Sequence, residues 1–344
     1  MEIRVMVISH LPYIRRFVQN VLSKDHNFKL VSSVSNLMQA FSETEERQPK
    51  LALISPDFTR LAEFEMVRAL FSALDVRWLI VSDENATGTN AGSTSGKAYG
   101  IFSVDVNDGD ETVLKALRSL VKFPQAAAKT DSVKEACSVQ KPLESATDRL
   151  ILIGSSTGGV DALTEVLACF PDNCPPTFIV QHTGSSFGES LVRLLDGRCA
   201  ARVVAAKNGM EVQLGMVCVG AGQSSHLHVV KREMLSCRLK SGSPVSGHMP
   251  SVDELFVSAL PLAKRVVACL LTGMGRDGAE GLLELRKAGA RTFVQDEGSS
   301  VVYGMPKAAW ELGAAEKRVP ITRMADTILG VCRTSSRSDL KTMG

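Results

Sequence analysis

Three residue types, each placed just past an apolar run, supply a nucleophile, a base and an acid to orient it. The stretch "LILIGSSTGGVDAL", Leu150 to Leu163, is a strand-like run that gives way to hydroxyls and glycines, and Gly154-Ser155-Ser156-Thr157-Gly158 fits G-x-S-x-G. In a nucleophile elbow the glycines permit a sharp strand-to-helix turn, which leaves the central serine at the carboxyl edge of a sheet near a helix N-terminus. A serine nucleophile needs a base and the base needs an orienting acid. His182, in "PTFIVQH", stands past the end of a buried run, and Asp277 follows "VVACLLTG" in a loop where Gly273, Gly275 and Gly278 allow unusual backbone geometry and free N–H groups. Plainer readings stay open at this point: a phosphate-binding or capping turn at Ser156, a capped strand-end histidine, and an N-cap at Asp277 for "GAEGLLELRKAG". The chain order Ser, His, Asp argues against the α/β-hydrolase superfamily, which runs Ser, Asp, His.

Other histidines offer less. His226 and His228 in "SSHLHVV" alternate and so share one strand face, a possible pair of metal ligands without an acidic or cysteine cluster beside them in sequence. His248 in "SGHMPSVDELF" precedes a helix that Ser251 and Asp253 suit as caps, and its loop either only caps that helix or walls the site.

These residues need a scaffold, and the pattern supplies two. In residues 1–123 five strand-like runs alternate with helical patterns, which predicts a flavodoxin-like α/β domain with a parallel sheet. Residues 124–148, "PQAAAKTDSVKEACSVQKPLESATD", lack a sustained apolar period and are expected to be a linker. Residues 149–344 repeat the alternation as a doubly wound α/β domain with a mainly parallel sheet and an antiparallel hairpin region between 200 and 240.

Composition narrows the partners. With 44% hydrophobic and 22% charged residues and a net charge of +2, the chain has no basic block suited to nucleic acid or anionic lipid. Its start, "MEIRVMVISHLPYIRR", lacks the layout of a signal peptide, and no run reaches the roughly 18 apolar residues that span a bilayer, so a cytoplasmic location without membrane insertion is expected. The 8 cysteines form no C-x-x-C pair and are expected to be free thiols.

Taken in order, "IGSSTGG", "VQH", "HMPSVDELF", "LLTGMGRDGAEG" and "QDEGSSVVYGMP" make the segment from about Arg149 to Pro320 closely resemble the catalytic domain of the CheB chemotaxis protein-glutamate methylesterase family. The resemblance implies hydrolysis of glutamate γ-methyl esters on cytoplasmic domains of methyl-accepting chemoreceptors, extending to glutamine deamidation, with no metal or organic cofactor. It places Ser156, His182 and Asp277 on the family's catalytic positions, with Thr157 and Met274 lining the oxyanion site. A chemosensory histidine kinase is a further implied partner. A noncatalytic scaffold, or a serine hydrolase or deamidase acting on another protein, are the competing readings.

The same family carries an N-terminal phosphorylation receiver, and residues 1–123 keep its layout without its chemistry. A receiver needs an acidic pair after strand one, a phosphoacceptor aspartate after strand three and a lysine after strand five. This chain has Ser9 and His10, Ser55, and Asn107 at those places; only Ser82, after strand four, fits. Asp57 lies two residues beyond the acceptor position, without the acidic pair that would hold Mg²⁺. The run "DENATGTNAGSTSGKA" reads as a loop where receivers have a helix. A pseudo-receiver, not controlled by phosphorylation, is the expectation.

Overall fold

The computed structural model describes residues 2–61, 63–83, 103–107, 109–122, 148–184 and 187–334. The expected loop after strand four, Asp83 excepted, and the expected linker, Asp148 excepted, lie outside these residues. The chain divides into two compact units, Met1–Thr130 and Asp131–Gly344.

In the first unit, strands β1 (Ile3–Ile8), β2 (Phe28–Val34), β3 (Leu51–Ile54), β4 (Arg77–Ser82) and β5 (Ser103–Asp105) form one sheet in the order β2-β1-β3-β4-β5. Every pairing is parallel. Val5–Ile8 and Leu51–Ile54 are buried without interruption, as strands covered by helices on both faces must be. The order is that of flavodoxin-like folds.

The second unit has a seven-stranded parallel sheet in the order β14-β13-β12-β6-β7-β9-β8. Its strands are β6 (Leu150–Ser155), β7 (Thr177–Gln181), β8 (Arg202–Ala205), β9 (Met216–Ala221), β12 (Val266–Leu270), β13 (Arg291–Gln295) and β14 (Lys317–Val319). The expected antiparallel region is only half antiparallel. β8 and β9 pair in parallel within the main sheet, because the chain between them returns to the same end of the sheet. Only β10 (His226–Lys231) and β11 (Leu235–Lys240), joined by a tight turn, form an antiparallel ribbon. Of the described cysteines, Cys174, Cys199, Cys218, Cys237, Cys269 and Cys332 are free.

β6 lies at the centre. The chain winds from it through β7 to one side, then returns to its other side at β12, so the topological switch point falls between β6 and β12. Ligands in open α/β sheets bind outside the carboxyl ends of strands at such a point. Ser156, His182 and Asp277 follow β6, β7 and β12.

Candidate active site

The serine turn is built by two glycines with different jobs. Gly158 has φ of 82°, a left-handed conformation that side chains disfavour, and a Cβ there would lie 2.5 Å from Val301 Cβ. Gly154 instead gives clearance, since a Cβ on it would lie 2.2 Å from Val252 Cγ1. Between them, Ser156 is 8% exposed. Its N–H donates to Thr272 O at 3.0 Å, and its carbonyl accepts from Gly159 N at 2.7 Å, where the helix Gly159–Leu167 begins.

His182 Nε2 lies 2.8 Å from Asp277 Oδ2. Asp277 is 1% exposed and accepts three further hydrogen bonds: from Ser251 Oγ at 2.8 Å, Val252 N at 2.8 Å and Asp253 N at 3.1 Å. Burial pushes its carboxyl pKa up, but the bonds from His182, Val252 and Ser251 outweigh that and hold it at about 2. A carboxylate ionised at neutral pH fixes the proton on Nε2 and leaves Nδ1 as the basic nitrogen. Nδ1 is buried and has no partner among the described residues, so the expected Ser156–His182 hydrogen bond is open. Such bonds are often long without substrate.

Asp277 does not cap the helix that follows it. Gly278 holds that place, at the start of Ala279–Lys287, and the carboxylate serves the N-terminus of Val252–Ser258 instead. Asp253 returns the arrangement by accepting from Gly281 N at 2.7 Å, so two helix starts exchange carboxylates. Burial first, and then the charge of Asp277, raise the Asp253 pKa to about 6 against the opposing N–H groups of Gly281 and Gly278. Ser251 caps its own helix as expected, accepting from Glu254 N.

The loop carrying Met274 lies against the serine. A Cβ on Gly273 would come within 2.7 Å of Ser156 Cβ, and Gly275 has φ of 88°. Thr272 Oγ1 donates to Thr157 O at 2.9 Å and accepts from Val302 N at 2.9 Å, tying both loops to the end of β12. The N–H groups of Thr157 and Met274 donate to no other described residue. Met274 as a residue is 68% exposed.

His248, left open by its sequence, walls the site. Its ring stacks on His182 with centroids 3.7 Å apart and planes 10° apart, and burial, then the nearby His182, lowers its pKa. His226 is spent on structure, accepting from Ser251 N at Nδ1 and contacting Ser243 O through Nε2. His228 pairs with Glu254 at 2.8 Å, an acid that adjacency in sequence did not reveal. No group of three or more His, Cys, Asp or Glu suited to a metal occurs among the described residues. Sequence reasoning also passed over Gln181, although a polar residue closing an otherwise apolar strand is a signal.

In the first unit, Ser55 Oγ donates to Ser9 Oγ at 2.6 Å, and both serines are fully buried. His10 stands edge-on to Phe58 and 3.8 Å from Asp57. Asn107 donates to Asp105 through its backbone and side-chain nitrogens, at 2.8 and 2.7 Å.

Residues 151–328 match the family model of the CheB methylesterase. Over 336 residues, 95% of each chain, the protein is 36% identical to a protein-glutamate methylesterase/protein-glutamine glutaminase of Agrobacterium fabrum. A protein of the same description from Caulobacter vibrioides is 36% identical over 341 residues, covering 95% of this chain and 97% of that one. Among solved structures, the CheB methylesterase catalytic domain of Thermotoga maritima superposes with a TM-score of 0.52 at 29% identity, covering 54% of this chain and all of that one. The chain therefore belongs to the CheB methylesterase family and is a carboxylic ester hydrolase.

Proposed function

We propose that this chain removes methyl groups from glutamate γ-methyl esters on the cytoplasmic domains of chemoreceptors, through an acyl-enzyme on Ser156, and that it also deamidates receptor glutamines. The observation that carries the mechanism is the buried His182–Asp277 pair, which leaves one imidazole nitrogen, beside the serine turn, without a partner among the described residues. His182 Nδ1 takes the Ser156 proton as Oγ attacks the ester carbonyl, and Asp277 stabilises the imidazolium that forms. The N–H groups of Thr157 and Met274 receive the oxyanion. Collapse of the tetrahedral species transfers the proton to the leaving methoxide, and methanol departs. Water then cleaves the glutamyl ester on Ser156 by the same route; with glutamine the leaving group is ammonia.

In this reading residues 1–123 form a pseudo-receiver, joined by a linker over 124–148 to the catalytic domain at 149–344. The Ser9–Ser55 hydrogen bond supports it: the acceptor position and the first acid position carry neutral hydroxyls that satisfy one another, and Asn107 supplies no ammonium. Docking of the chain to receptors, and to a histidine kinase, then depends on something other than aspartyl phosphate.

Methanol release from methyl-labelled receptor membranes tests both parts. Ser156→Ala is expected to abolish release, and a small-molecule phosphodonor to leave the parent protein's rate unchanged. Release that survives Ser156→Ala would remove the mechanism, whereas stimulation by the phosphodonor would remove the pseudo-receiver. A parent protein inactive on receptors would favour a scaffold or another protein substrate.

A further inference from the structure

Gln181 closes β7 and is 2% exposed, yet its side-chain amide makes three hydrogen bonds at the edge of the site. Its Oε1 accepts from Ser155 Oγ at 2.6 Å. Its Nε2 donates to the carbonyl of Ser156 and to the carbonyl of His182, both at 2.9 Å. One amide group thus holds the backbone of the proposed nucleophile and that of the proposed base at the same time. We infer that Gln181 is a positioning residue, which sets the spacing between Ser156 and His182 and acts on catalysis through them. The inference rests on the roles proposed above for those two residues.

The surroundings leave the amide one orientation. Were it flipped, its oxygen would face two carbonyl oxygens and its NH₂ would meet the Ser155 hydroxyl, so the strongest interactions would be lost. The start of the helix Gly159–Leu167 is cut back to admit it: a Cβ on Gly159 would lie 2.1 Å from Gln181 Oε1. β7 and β6 are parallel neighbours in register, Ser155 against Gln181, and His182 N donates to Ser155 O at 3.0 Å. That ladder ends at His182. Beyond it, among the described residues, the Gln181 amide spans the two strand ends at the point where their reactive side chains diverge from the sheet. Because the Ser156–His182 hydrogen bond is open in this structure, small changes in backbone spacing decide whether it closes on substrate.

The test uses Gln181→Glu in the full chain. The isosteric carboxylate still accepts from Ser155, but when ionised it turns an acceptor toward two carbonyls. We expect kcat for methanol release to fall by about 100-fold, the scale of a misplacement near 1 Å, with KM unchanged, because the residue touches no part of a substrate. Relative to the parent protein, the variant should recover as pH is lowered, since a neutral carboxylic acid regains one donor. Fluorophosphonate labelling of Ser156, normalised to folded protein by thermal melting, should slow in parallel. Gly159→Ala, which drives a methyl group into the amide oxygen, provides a second route to the same displacement should the carboxylate prevent folding. Folded Gln181→Glu or Gly159→Ala protein with kcat within twofold of the parent would overturn the inference, and so would a loss confined to KM. Ser156→Ala, assayed alongside, separates the two levels: if it stays active, the reading of the site itself has failed; if it is dead while the Gln181 and Gly159 variants are normal, only the positioning role has.

Discussion

Both parallel sheets of this chain place a serine directly past a buried strand, and the two serines have opposite surroundings. Ser55 spends its hydroxyl on Ser9 at 2.6 Å, in a fully buried pair. Ser156 lies in a turn between Gly154 and Gly158, and the neighbouring imidazole of His182 has a nitrogen with no partner among the described residues. Charge divides the edges in the same way. Asp277 stays ionised although buried, because four donors converge on it, two of them amides at a helix start. At the Ser9–Ser55 edge no described carboxylate is buried. Close carboxylates repel unless a cation joins them, and hydroxyls at those places remove the repulsion. A serine's position in a fold therefore says little about its chemistry; what its neighbours leave unsatisfied says more.

The contrast can be broken at either edge. The largest effect is expected at the charged one: Asp277→Asn should lower kcat by about 10⁴-fold, the scale seen when the acid of a triad is neutralised, while circular dichroism stays that of the parent. Retention of activity would make the His182–Asp277 contact structural only. At the neutral edge, Ser55→Asp puts a carboxylate into a fully buried position against Ser9. A loss of about 3 kcal/mol in the stability of the first unit is expected, read as an earlier calorimetric transition that Mg²⁺ does not restore. Mg²⁺-dependent recovery would mean that this edge still holds a cation site.

The smallest effect sharpens the comparison through pH. Asp253 has its folded-state pKa raised to about 6, above the unfolded value of about 3.9. Between those values the native state binds more protons than the unfolded one, so this group costs stability as pH rises through the window. Asp253→Asn keeps an acceptor for Gly281 N and removes the charge. Its thermal midpoint should exceed the parent's by a few degrees above pH 6 and equal it below about pH 4. For Asp277, depressed to about 2, the sign reverses: its contribution is full above the unfolded pKa and is lost as pH falls through about 2. An Asp253→Asn midpoint that follows the parent's at every pH would show that the carboxylate is not penalised by its site.

Much of the candidate site was legible in the sequence because apolar runs mark buried strands, and ligands in open α/β sheets bind past the carboxyl ends of such strands. Ser156, His182 and Asp277 stand there by that logic alone, and the first unit's sheet order matches the alternation read from its runs. What escaped depends on which elements meet in space. β8 and β9 read as strands, but their direction is decided by where the chain returns. Asp277 looks like a cap for the next helix, and only the packing of Val252–Ser258 against the loop reassigns it. Glu254 lies far from His228 in sequence, and the Gln181 amide acts across a strand pair that no local pattern announces.

The exchanged caps have a consequence for folding. Neither helix start is completed by its own stretch of chain: the amides of Val252 and Asp253 await Asp277, and that of Gly281 awaits Asp253. Each half supplies what the other lacks, so intermediates with one docked and the other free gain little. Docking these two helix starts also sets Asp277 against His182, and the protons on the three amides should exchange with solvent through one shared opening rather than by fraying helix by helix.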